Sequence, residues 1–254
     1  MGRLILLSGP SCVGKGPLMT ALRQYEPDLA GRLRQVVIYN QRAPRPGERD
    51  GVHYHFRPRA RIAEIGQQAE HLLFEARGDL QCLAFADIDR AMQEGHDAFL
   101  EANPEMVAQL DEQGVLARHE TLSVFLSPLN RAEIEQARAA GLDLDRLVAD
   151  VQRRKLLKRT TRFKTRLGLP DLEDIERRCT RACREMRLAW RFDWVIPCHD
   201  GEEHDNWDAF PLLLGDAARA LNCYATLLRS QTCAWAERWP QELIPAQGDA
   251  ALQR

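Results

Sequence analysis

Residues 3–17 read Arg-Leu-Ile-Leu-Leu-Ser-Gly-Pro-Ser-Cys-Val-Gly-Lys-Gly-Pro, an apolar run followed by the pattern GxxxxGK. A continuous apolar run closed by Gly-Pro predicts a short buried strand over Arg3–Ser8. Gly9 and Gly14 let the backbone curl until several N–H groups converge on one anion. A helix beginning near Lys15 aims its positive end at the same place. Lys15 adds a full charge suited to the outer phosphates of a nucleoside triphosphate. Gly9, Pro10, Ser11, Cys12, Val13, Gly14, Lys15 and Gly16 are therefore the expected triphosphate-binding residues.

The hydroxyl that should follow the lysine is missing, because Gly16 and Pro17 stand there. Proline is tolerated in a first helical turn, so the fold is expected to survive while a metal ion loses its usual hydroxyl ligand. No residue is assigned as a direct metal ligand; water and acidic residues on the neighbouring strand are the expected substitutes. Cys12 is read as a small side chain filling a gap in the anion nest rather than as a reactive thiolate.

Around this loop, apolar runs alternate with helical patterns. The helix after the loop is expected over Leu18–Tyr25, a strand over Gln35–Tyr39, and a short strand carrying Tyr54 and Phe56. A helix over Ile88–Gln93, a strand from Ala98, a helix over Glu105–Asp111 and a strand over Leu122–Leu126 follow. Long charged helices run from Arg131 to Trp190, and Val195-Ile196 forms a last strand. Strands alternating with helices predict an α/β fold whose mainly parallel sheet is flanked by helices. After Cys198–Asp208, a polar stretch, residues 209–239 place Leu214, Ala217, Leu221, Tyr224 and Leu228 at helical spacing. That face is expected to dock on the core, with a contact between two copies as the second reading.

The chain of 254 residues has a net charge of −2, so no overall field recruits nucleic acid or an anionic membrane. Its seven cysteines are odd in number and form no CxxC pair, which fits free thiols and a cytoplasmic location. The N-terminal apolar run is too short for a secretory signal, and no segment reaches the ~20 apolar residues that span a bilayer. Cys198, His199 and His204 match no common zinc spacing. Cys179 and Cys183, one turn apart, read as a packed helix face, and Asp143, Asp145 and Asp150 as a solvated helix start.

A second anion site is written in Arg42-Ala-Pro-Arg45-Pro-Gly-Glu48-Arg-Asp-Gly51-Val-His-Tyr54-His-Phe56. Pro44 and Pro46 stiffen the spacing of Arg42 and Arg45 into a fork suited to a phosphate dianion. Glu48 can orient one arginine, and the Tyr54 hydroxyl can complete the site.

In this order, GPSxVGKG and then RxPRPGExDGxxYxF, the chain resembles guanylate kinase, the enzyme that moves the γ-phosphate of ATP onto GMP. Weaker similarity continues to about Pro197. Phe99–Asn103 looks like the family's acidic strand, Lys155–Thr161 like its arginine-bearing lid, and Arg177–Glu185 like its closing helix. The resemblance implies ATP and Mg²⁺ as cofactors, with Lys15, Arg159 and Arg178 as the catalytic cations. It implies Arg42, Arg45, Glu48, Tyr54, Glu75, Glu101 and Asn103 as acceptor-binding residues. It also implies a guanylate-kinase-like domain over 1–197, with an acceptor-binding part at about 35–97 and a lid at about 143–175. Residues 198–254 then form a C-terminal helical extension.

The residues that would read guanine differ from the family's. Ile38 stands where a small hydroxyl residue is usual, and Asn40 and Gln41 replace threonines. Leu72-Leu73-Phe74 occupies the Leu-Glu-Trp segment, so Glu75 supplies the base-pairing carboxylate only if the alignment slips. Leu80-Gln81-Cys82 replaces a Tyr-Tyr-Gly turn, and Asn103 replaces an aspartate. Phosphate readers stay while base readers change. The expected function is an ATP-dependent phosphotransferase with GMP or dGMP as default acceptor. The alternatives are a kinase of another phosphorylated small molecule, or a phosphate-binding domain that has lost catalysis. Arg153–Arg166 holds eight Lys or Arg and no acid, and is read as a clamp on polyphosphate.

Overall fold

The computed structural model describes residues 2–44, 47–76 and 78–245. The chain forms two compact units, one of residues 1–6 and 32–122, the other of residues 7–31 and 123–254. In chain order the elements are β1 (Leu4–Ser8), α1 (Lys15–Tyr25), α2 (Pro27–Arg32), β2 (Leu33–Gln35), β3 (Tyr39–Asn40), β4 (His55–Phe56), α3 (Arg59–Ile65), β5 (His71–Ala76) and β6 (Asp79–Ala84). They continue as α4 (Phe85–Gln93), β7 (Asp97–Glu101), α5 (Pro104–Glu112), β8 (Thr121–Ser127), α6 (Arg131–Ala139), α7 (Leu144–Phe163), α8 (Leu169–Met186), β9 (Trp194–Pro197) and α9 (Gly215–Leu228).

The fold is α/β, with a parallel sheet flanked by helices. The larger sheet has the strand order β2-β7-β1-β8-β9, and the unit boundary falls within β1 and β8 themselves. β2 runs parallel to β7 and β8 parallel to β9. All five residues of β1 are buried, as in a strand covered on both faces.

The first unit also holds a four-stranded sheet, order β4-β3-β6-β5, in which β5 and β6 pair antiparallel as a hairpin with Ala76 opposite Asp79. This hairpin was not expected. Its alternation is blurred because Leu72, Phe74 and Ala76 are buried on one face while Leu80 and Cys82 are buried on the other. The single strand expected over Gln35–Tyr39 is two strands in two sheets: β2 ends at Gln35, and β3 begins at Tyr39. Val36 and Ile38 between them are buried, so the apolar run reports burial but hides the point where the chain changes sheet.

In the second unit α9 packs on α1 and β9, burying Ala217, Leu221, Tyr224 and Leu228. The docking expectation agrees with that packing for these four residues, whereas Leu214, the residue that caps α9, is exposed. Beyond it, Val195 and Glu237 exchange two backbone hydrogen bonds of 2.8 Å, so the tail covers β9, the last strand of the larger sheet's order. No helix among the described residues is long and apolar enough to cross a membrane.

Candidate functional site

The loop between β1 and α1 is built on positive backbone angles. Gly9 has φ +138°, Cys12 +66° and Gly14 +117°, and Gly14 caps α1 without a side-chain hydrogen bond. A Cβ on Gly9 would stand 2.4 Å from the Leu126 carbonyl oxygen, so glycine is demanded by both angle and space. Lys15 Nζ folds back over the loop and donates to the carbonyls of Gly9 (2.8 Å) and Pro10 (3.1 Å). The sequence-predicted nest is thus formed, with its cation parked on the loop's own oxygens. Cys12 is the gap-filler expected of it. It packs with Leu156 of α7 and with Ile175 and Cys179 of α8, and burial first, then the Glu202 carboxylate, push its thiol up to about 11.

The helices after β8 bring two arginines to the same unit. Arg178 on α8 donates through Nη1 to Ser11 Oγ at 3.0 Å, while Nε bonds Asp174 at 2.7 Å. Arg159 on α7 donates to Glu202 Oε2 at 3.0 Å. Much of the basic run on α7 is met by acids: Arg153 by Glu176, Arg162 by Glu203, Lys158 by Asp205. Three of these acids, with Asp208 near Arg162, come from residues 202–208. The expected clamp therefore meets a built-in acidic partner.

That partner is a strap, residues 198–208, which sequence reasoning passed over as a polar turn. The Glu202 N–H donates to the Cys12 carbonyl at 3.1 Å, and Trp207 Nε1 donates to the Gly201 carbonyl at 2.7 Å. A Cβ on Gly14 would sit 3.3 Å from the Trp207 ring, and one on Gly201 only 2.8 Å from Lys155. Lys155, half-buried, donates to the Cys198 carbonyl at 3.1 Å. The available signal was the acidic run Glu202-Glu203 and Asp205 set against the basic run of α7. His199 lies at the base of the strap, between Asp216 at Nδ1 and Glu133 at Nε2, 2.8 Å away. Burial opposes its charge, but these two carboxylates hold its pKa above the ordinary value. Among the described residues no cluster of three or more His, Cys, Asp or Glu forms a metal site.

The first unit carries the second anion site. Arg42 meets Glu48 in a bidentate pair, both contacts 2.6 Å, and its guanidinium lies 4.9 Å from the Tyr54 ring centroid and 5.5 Å from that of Phe56. Asn40 Oδ1 accepts the Arg42 N–H at 3.0 Å, fixing the turn. Burial and then the nearby Glu101 carboxylate push the Tyr54 phenol above the usual tyrosine value, while Arg42 pulls it down. Arg45 lies outside the described residues.

Strand register sorts the remaining candidates by face. Residues opposite one another share a face of a sheet. Phe56, Asn40, Gln81 and Phe74 form one such row, on the face where Arg42 stacks. His55, Tyr39, Cys82 and Leu73 form the adjacent row on the opposite face, where Tyr39, Leu80 and Cys82 pack with Ile62 and Ile65 of α3. Glu75 opposes Leu80, so it belongs to the α3 face, where it pairs with Arg59 at 2.5 Å. By register, Glu75 therefore stands on the face opposite the one on which Arg42 stacks. Gln81, half-buried, shares the Arg42 face with Asn40, and sequence reasoning gave it no role because the hairpin was unseen. Asn103 is spent on helix geometry: its Oδ1 accepts the Met106 N–H at 2.6 Å and caps α5. Glu101, at the end of β7, is exposed.

A family model described as guanylate kinase matches residues 1–175. A guanylate kinase of Aliivibrio fischeri is 35% identical over 150 residues, spanning 58% of this chain and 70% of the relative. One of Desulfitobacterium hafniense is 29% identical over 199 residues, spanning 77% of this chain and 81% of the relative. The crystal structure of guanylate kinase from Anaplasma phagocytophilum superposes with a TM-score of 0.53 at 17% identity, covering 90% of this chain and 85% of that one.

Proposed function

Since the chain belongs to the guanylate kinase family, we propose that it moves the γ-phosphate of ATP onto the phosphate of a nucleoside monophosphate, GMP or dGMP being the default acceptor. A nucleoside-monophosphate-kinase-like enzyme needs one anion seat for the donor and one for the acceptor. The observation that carries this reading is the loop itself: Lys15 folded over Gly9 and Pro10, with Arg178 tied to Ser11.

The chemistry asks little of acid–base groups, because the acceptor phosphate is already an anionic nucleophile. Positioning and charge neutralisation supply the rate. Lys15 leaves its two carbonyls to meet the outer phosphates of the donor. Arg178 stays anchored through Asp174 while its Nη1 turns from Ser11 towards the transferring group. Arg42, stacked on Tyr54 and Phe56, holds the acceptor phosphate once Glu48 gives way. Mg²⁺, when bound with ATP, neutralises charge on the β- and γ-phosphates. Gly16 and Pro17 offer it no oxygen, but a carboxylate, the oxygen donor Mg²⁺ favours, stands beside Gly16 in the form of Glu202.

A second reading, a phosphorylated acceptor other than a guanine nucleotide, is favoured by the pairing of Glu75 with Arg59 on the α3 face. ADP release from Mg-ATP across GMP, dGMP, IMP, AMP, CMP, UMP and ribose phosphates separates the two. Turnover confined to GMP and dGMP supports the first, and turnover on another member of the panel the second. The absence of any Lys15-dependent turnover would sink both.

A further inference from the structure

The strap does more than cover the loop, because it delivers one carboxylate to the place where the loop is chemically incomplete. A Cβ on Gly16 would have a single neighbour, Glu202 Oε1, at 3.6 Å. A serine hydroxyl projects one bond beyond Cβ, so this carboxylate oxygen borders the position of the hydroxyl that Gly16 and Pro17 lack. Its other oxygen is taken by Arg159 at 3.0 Å. The placement is held from several sides. The Glu202 N–H bonds the Cys12 carbonyl, Trp207 fastens Gly201, and Asp200 Oδ2 accepts both the Asn206 amide (2.9 Å) and the Ala217 N–H at the start of α9 (2.9 Å).

A carboxylate at the mouth of a triphosphate nest repels the ligand unless a cation lies between them. Arg159 supplies that cation in this structure. Once the triphosphate claims Arg159, the charge beside Glu202 has to come from elsewhere, and a divalent cation on the phosphates supplies it. Magnesium is commonly held by one or two carboxylates together with substrate phosphates and water. We propose that Glu202, contributed by the strap, is the protein's oxygen ligand for the divalent cation of the bound nucleotide, in place of the loop hydroxyl. The proposal rests on the kinase reading above.

The test uses Mn²⁺ as the paramagnetic substitute and the non-hydrolysable β,γ-imido analogue of ATP on the full chain. Mn²⁺ affinity of the ternary complex is read by electron paramagnetic resonance, and analogue affinity in EDTA by calorimetry. Glu202→Gln is expected to weaken Mn²⁺ in the ternary complex about tenfold or more, while analogue binding in EDTA is unchanged or tighter. Gly16→Ser, whose Cβ would make only an ordinary van der Waals contact, is expected to restore Mn²⁺ affinity in the Glu202→Gln background. Unchanged Mn²⁺ affinity in Glu202→Gln overturns the proposal. So does tighter analogue binding by the same factor with and without metal, which would make Glu202 only a competitor for the phosphate seat. In either case a wild-type chain that binds the analogue leaves the kinase reading standing. A wild-type chain that binds no analogue under any condition defeats both.

Discussion

Arg42 and Arg159 each meet a glutamate of their own chain, but over different reaches. Glu48 lies six residues from Arg42 and grips it with both oxygens at 2.6 Å, inside a loop further pinned by Asn40, Tyr54 and Phe56. Glu202 lies 43 residues from Arg159 and offers it one oxygen at 3.0 Å. The first arrangement is self-contained: its arginine is pre-shaped by neighbours, and an incoming phosphate has only to displace a local carboxylate. The second ties α7 to the strap, so any ligand that captures Arg159 also changes what holds residues 198–208. Local pairs orient a side chain, whereas distant pairs couple segments.

The strongest way to break this comparison is Lys15→Ala. Its bonds to the Gly9 and Pro10 carbonyls lie within its own loop, so thermal melting should change little while kcat/KM falls by about 10²–10³; equal losses in stability and activity would deny it a chemical role. Arg42→Ala should raise the acceptor KM by about tenfold to a hundredfold while leaving ATP-analogue affinity intact, since its bonds are made within its own loop. A drop in analogue affinity as well would show that the Arg42 loop is not self-contained. On the hairpin, Gln81→Ala should shift the ratio of kcat/KM among GMP, IMP and AMP by about tenfold. Glu75→Ala, which removes only an exposed pair with Arg59, should move stability by less than about 1 kcal/mol and selectivity not at all.

The smallest effect concerns the base of the strap. The folded pKa of His199 is raised above its ordinary 6.5, so its charged contacts with Glu133 and Asp216 contribute fully below pH 6.5. They are lost as pH rises through the elevated value. Melting temperature followed upward from pH 6.5 should therefore fall more steeply in the wild type than in His199→Asn, by about 2–4 °C. Parallel curves would refute the coupling.

The phosphate loop was legible because every part of it is local. The run over Leu4–Ser8, the glycines at 9 and 14 and Lys15 carry their geometry in adjacent residues. Arg42, Glu48 and Tyr54 were legible for the same reason. What could not be read depends on pairing between distant segments. The apolar run through Val36 and Ile38 did not reveal that the chain leaves one sheet for the other. Gln81 was invisible until β5 and β6 were paired, although Gly78, at φ +89°, sits next to the hairpin's closing residues. Glu202 was harder still: the acidic run around it hints at the basic run of α7, but not that its N–H returns to the Cys12 carbonyl.

The hairpin's two faces also bear on how such a protein changes its diet. Leu80 and Cys82 are committed to the packing under α3, whereas Asn40, Gln81 and Phe74 sit on the side away from it. Because side chains alternate, a substitution at Gln81 leaves the α3 contacts untouched, and a substitution at Cys82 leaves the other side's chemistry untouched. If acceptors are read on the Gln81 side, as proposed, a lineage or an experimenter running directed evolution can vary that side without disturbing the packing under α3.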